Sequence, residues 1–144
     1  MRRHNSAASQ SFKGFDPVLA WIMAMGGLLI FWSLGGRDLW QDEAETALLG
    51  LNILKRGLPY AYDGVNFISA EAGREFGPDF LWRWSPWLQF YAASLGLAVL
   101  GKTAAACRLP FAFMGWFCLP LVYAVAGRLF TSRRVAWLSA LLLA

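Results

Sequence analysis

Charge is scarce in this 144-residue chain: Asp, Glu, Lys and Arg make up 15% of it, against 58% hydrophobic residues. A soluble domain carries about 25% charged residues, so water is not the main solvent of this one. Histidine occurs once, at His4, and cysteine twice, at Cys107 and Cys118. Eleven residues of continuous helix separate the cysteines by about 16 Å, beyond disulfide reach, and no zinc-type spacing is present. A disulfide framework and a soft-ligand metal centre are therefore not expected. The chain also lacks a phosphate-cradling glycine loop, a nucleophile elbow and internal repeats. Its net charge of +4 belongs in part to basic membrane flanks and is no argument for nucleic acid.

Uncharged runs are what the sequence has in abundance. A hydrocarbon core about 30 Å thick takes roughly 20 apolar residues to cross as a helix. The run Pro17 to Gly36, between Asp16 and Arg37, holds no charge and predicts a first transmembrane helix over 17–36. Runs bounded by Arg83 and Lys102, and by Arg108 and Arg128, predict a second over 85–101 and a third over 109–127. Ser85, Gln89, Ser94 and Pro120 within them suit helix faces that meet other helices. Residues 135–144 read as the start of a fourth span, and the chain as the opening section of a longer protein. Residues 1–16 read as a polar, basic cytoplasmic tail. A signal peptide is the rival reading of the first run, disfavoured by its length and by the spans that follow.

The loop 37–84 holds eight of the nine acidic residues. It is where polar chemistry is to be sought. Within it, about 42–56 predicts an interfacial helix. Acids stand at its start, Lys55 and Arg56 in its last turn, and Gly57 with Pro59 stop it. Ala44, Ala47, Leu48, Leu51 and Leu54 form a stripe for the membrane surface. Trp40, Trp82, Trp84 and Trp87 suit the interface. The expected fold is all-α: multi-pass membrane helices with an interfacial helix in a long first outer loop. Charge counts oppose that orientation, with five basic residues inside and eight outside, the reverse of the usual bias.

The order of one span, then LWQDEAETALLGLNILKRGLPY, then RWSPWLQFYAASLGLAVLG, then AAACRLPFAFMG resembles the N-terminal part of the GT-C glycosyltransferases. The nearest likeness is to glycosyltransferase family 39, which includes protein O-mannosyltransferases and aminoarabinose transferases acting on lipid A. The resemblance runs from about Trp21 to Ala144. It implies a multi-pass enzyme of the cell (inner) membrane, with its active face on the outer side, that moves a sugar from a polyprenyl-phosphate carrier to a protein, lipid or glycan acceptor. Membrane lipid and the lipid-linked donor are then its partners, with no nucleic acid. No cofactor is called for, and a divalent metal stays open.

The resemblance gives Asp42 the role of catalytic base, and the chemistry agrees. An acceptor hydroxyl becomes a good nucleophile when a carboxylate takes its proton during attack on the anomeric carbon, which inverts that centre. Glu43 is the second catalytic candidate: it could orient the base, bind sugar or be a solvated acid. Family members commonly start the following span with paired prolines preceded by His or Lys, thought to hold the carrier phosphate. Trp84, Ser85, Pro86 and Trp87 stand there instead. Arg83, with Arg74 or Arg37, is left as the candidate for binding the phosphate; a plain interfacial anchor is the other reading of Arg83. Arg108 matches a family arginine but falls on the cytoplasmic side of the expected topology, as an anchor. A non-enzymatic transporter or flippase-associated subunit handling lipid-linked sugars is the competing function; its polar residues would lie inside the spans.

Overall fold

The computed structural model describes residues 14–144. The expected tail, with Arg2, Arg3, His4 and Lys13, falls almost wholly outside the described residues. Within them the architecture is all-α, with five helices: α1 (Pro17–Phe31), α2 (Gln41–Arg56), α3 (Leu88–Leu100), α4 (Ala104–Phe130) and α5 (Arg133–Leu143). The only β pairing among the described residues is three isolated bridges in the α2–α3 connection. The chain packs as two compact units, one reaching Ile30 and joined by Gly115–Ala144, the other Phe31–Met114.

In the first unit Ile22, Tyr123, Ala126, Ala136 and Ala140 form the core. Small residues let the helix backbones approach closely. Trp116 sends its indole N–H to the Met23 carbonyl, 2.9 Å away. Asp16 caps α1 through the N–H groups of Val18 and Leu19. Its other oxygen accepts from the Tyr123 hydroxyl at 2.5 Å and the Trp137 indole at 3.0 Å.

The second unit carries the acidic loop. Helix α2 ends at Gly57, whose φ of +81° closes the helix in a conformation costly for a side-chain-bearing residue. Its buried face is Ala47, Leu49, Gly50, Asn52 and Ile53. The expected membrane stripe is thus divided: Ala47 is buried, while Leu48 and Leu54 are exposed. The reason is that α2 packs on α3, where a Cβ on Gly50 would lie 3.2 Å from the Ser94 nitrogen. A second core joins Leu49, Ile53, Ala61, Trp82 and Phe90. The connecting segment folds back as the Ala61 N–H donates to the Phe80 carbonyl and the Trp82 N–H to the Pro59 carbonyl.

Helix α3 crosses close to the start of α4. A Cβ on Gly96 would stand 2.0 Å from the Ala106 carbonyl oxygen. Pro110, four residues after Ala106, has no N–H to return to that carbonyl, so the oxygen faces the bare Gly96 Cα, where a Cα–H contact is possible.

Among the described residues one helix, Ala104–Phe130, is long and apolar enough to cross a membrane. It contains the run 109–127. Helix α1 stops at Phe31 rather than 36, and α3 has 13 residues, a rise of about 20 Å. Both α1 and α3 are thus apolar helices shorter than a bilayer core of about 30 Å. Residues flanking α3 on either side, Glu43 and Arg108, are in direct contact at 2.6 Å.

Candidate functional site

The site is built where α2 begins. Asp42 and Glu43 occupy its first turn, where the unpaired N–H groups and the helix dipole favour carboxylates. Glu43 reaches back to accept the Trp40 N–H at 3.0 Å, tightening the turn that leads in. Arg108 then grips it as a fork: Nε donates to Oε1 at 2.9 Å and Nη2 to Oε2 at 2.6 Å. The remaining donors of Arg108 go to the carbonyls of Leu34, Arg37 and Asp38, each 2.9 Å away. A guanidinium has five N–H donors, and all five are engaged. The Arg108 bonds hold the Glu43 carboxyl below its usual range; burial opposes them, and the Trp40 N–H adds to them.

Asp42 differs from its neighbour. It is exposed, and its carboxylate makes no hydrogen bond or ion pair among the described residues. It stands where two hollows meet. The smaller, about 260 Å³, is lined by Glu43, Cys107, Arg108 and Phe111 together with Asp42, Thr46 and Gln89. The larger, about 420 Å³, shares Asp42, Thr46 and Gln89, and adds Glu45, Glu71, Glu75, Trp84 and Ser85 among others. Asp42 and Thr46 are one helical turn apart on α2, so one face of the helix serves both.

Glu45, read from sequence as a surface charge, lines the larger hollow instead. Burial, and then the like charges of Asp42 and Glu75, push its carboxyl above the usual glutamate range. Glu75 is 1% exposed. Burial raises its carboxyl, yet the N–H groups of Glu71 and Ala70 and the Ser69 hydroxyl, all bonded to it, hold it below the usual range.

The three arginines expected at the phosphate line neither hollow. Arg83 is exposed and paired with Asp79 at 2.8 Å. The Arg37 carbonyl accepts from Arg108, while its own side chain, like that of Arg74, is exposed. Contributors that sequence reasoning did not single out are Thr46 and Glu75, ordinary residues whose roles follow from folding; Gln89 was expected at a helix–helix face and lines both hollows. Arg108 was legible as a charge opening an apolar run, but not its partner. No group of three or more His, Cys, Asp or Glu among the described residues is placed to hold a metal ion.

Compared with family models, curated proteins and solved structures, the chain has no match. The functional argument therefore rests on its own residues and their geometry.

Proposed function

We propose that the chain carries the catalytic base of a GT-C-type membrane glycosyltransferase, which moves a sugar from a polyprenyl-phosphate carrier to an acceptor at the outer membrane face. The observation that supports this is Asp42: an exposed, unbonded carboxylate at the junction of two hollows, beside a glutamate that Arg108 holds by two bonds while its other three donors hold the turn before the helix. A general base must be free to take a proton and must be held in place. Asp42 meets the first condition, and the Glu43–Arg108 clamp supplies the second.

In the reaction the acceptor hydroxyl oxygen attacks the anomeric carbon as Asp42 removes its proton. The bond from that carbon to the carrier phosphate breaks, and polyprenyl phosphate leaves as an anion. Inversion follows from attack on the face opposite the leaving group. Arg108, with every donor engaged, orients rather than binds the phosphate; Arg37, Arg74 and Arg83 are the cations left for that charge. In this reading α4 crosses the bilayer, and the exposed Leu48, Leu54, Leu88, Leu95 and Val99 face lipid.

The test is Asp42→Asn in the complete protein in its membrane. Transfer from a polyprenyl-phosphate sugar is expected to fall by about 10²–10⁴-fold with insertion and expression unchanged. Transfer at the original rate would remove the base assignment and favour the transport reading.

A further inference from the structure

The two hollows that meet at Asp42 differ in their cations. The smaller has Arg108 in its wall beside Asp42 and Glu43. The larger is lined by the carboxylates of Asp42, Glu45, Glu71 and Glu75 and by no lysine or arginine. We infer that the larger hollow receives the acceptor as an uncharged saccharide and turns away phosphate-bearing ones, with Glu45 as the residue that sets this preference; the inference rests on the glycosyltransferase reading above.

A phosphate entering the larger hollow meets like charge on several sides with no cation in the lining, and like-charge juxtaposition is how interfaces reject wrong partners. A sugar meets complementary chemistry. Carboxylates accept hydrogen bonds from vicinal hydroxyls, and the Gln89 amide offers both a donor and an acceptor. Trp84, 61% exposed at the rim, presents a ring that can cover the apolar face of a pyranose. The volume of about 420 Å³ falls in the range of small-molecule sites.

The acids are not equivalent. Glu75 has its oxygens engaged by Ser69, Ala70 and Glu71, so it is a fixed charge in the wall. Asp42 is reserved for the proton. Glu45 lies on the same helix face three residues on, with no hydrogen bond or ion pair among the described residues. Its unpaired carboxylate is free to accept from a sugar hydroxyl and meets an anion with like charge.

The experiment titrates the complete protein in nanodiscs with the methyl glycosides of glucose, mannose and galactose and with their 6-phosphates. Tryptophan fluorescence, assigned to the hollow by its loss in Trp84→Phe, reads binding, and the same compounds serve as acceptors in a transfer assay. At least one neutral glycoside is expected to bind about tenfold or more tightly than its phosphate. Glu45→Gln narrows that ratio, and so does Glu71→Gln at an exposed site where folding is not in question. Phosphates binding as well as the neutral sugars, a ratio unmoved by both variants, or no binding by any compound at about 10 mM overturns the inference. If the neutral preference holds in binding but no sugar is transferred and Asp42→Asn changes nothing, it is the enzyme reading that fails, and the selectivity of the hollow stands.

Discussion

Arg108 and Glu43, 65 residues apart in sequence, are joined by two charge-assisted bonds, Nε to Oε1 and Nη2 to Oε2. The same guanidinium collects three carbonyls from the turn before α2. One side chain at the head of α4 thereby fixes both the approach to α2 and its first turn, and with them the backbone that carries Asp42.

Replacing Arg108 by lysine keeps the charge and loses the planar fork. The α2 start is then held by fewer bonds, and Asp42 is displaced from its productive position. Transfer is expected to fall on the order of 10²-fold, with a smaller loss for Glu43→Gln, which keeps one acceptor for Arg108. A transfer assay beside a thermal-unfolding control measures this; full activity in the lysine variant would show that the clamp does not position the base.

Stability should respond to pH with opposite signs at two glutamates. Glu43 is held below its usual range, so the unfolded chain binds more protons as pH falls. Its contribution is present above the unfolded value and is lost as pH drops through the folded one. Glu45 is raised, so the folded chain keeps the extra proton, and stability declines as pH rises from the unfolded value through the folded one. Glu43→Gln should therefore lower the melting temperature near about pH 7 and matter less near about pH 4, whereas Glu45→Gln should raise it near about pH 7 and converge with wild type in acid. Melting curves in detergent across that span test both.

Gly96→Ala places a methyl 2.0 Å from the Ala106 carbonyl oxygen. Backbone on both sides cannot yield cheaply, so the α3–α4 crossing must open. The expected cost is about 1–3 kcal/mol, seen as a lower unfolding midpoint. Ala at Gly115, where a Cβ meets nothing within 4 Å, should leave the midpoint nearly unchanged.

Asp16→Ala removes the cap of α1 and the acceptor shared by Tyr123 and Trp137. A loss of roughly 1–3 kcal/mol is expected. Asp16→Asn, which can still accept, should lose less. The difference between the two variants in chemical unfolding measures the hydrogen bonds apart from the helix itself.

Arg83 and Asp79 form an exposed i, i+4 pair, with side chains 55% and 50% exposed. Such pairs contribute about 0–1 kcal/mol, so Arg83→Ala should barely change stability. If Arg83 serves the carrier phosphate, the same variant raises KM for the lipid-linked donor and leaves acceptor KM unchanged; equal kinetics would leave it a surface ion pair.

Local signals in the sequence marked α2 well. Two acids at its start, two bases in its last turn and Gly57 followed by Pro59 act within a few residues, so no distant partner is needed to interpret them. The run behind α4 was legible for the same reason. The packing of the second apolar run was not: Phe90, Ala93 and Leu97 within it are buried against protein. Hydropathy counts apolar residues and cannot say whether protein or lipid will cover them.

By itself the sequence determined that this chain is helical, that apolar runs dominate it, and that its acids gather in one segment opening with Asp42 and Glu43. Composition and local spacing suffice for that, because each residue acts through its own solubility or on neighbours within a turn. Only the tertiary structure decided that Arg108 meets Glu43, that Glu45 joins the hollow beside Asp42, and that Arg37, Arg74 and Arg83 stand outside it. These are contacts between residues tens of positions apart, set by the close packing of α2, α3 and α4 around Gly50 and Gly96, where missing side chains let the helices approach.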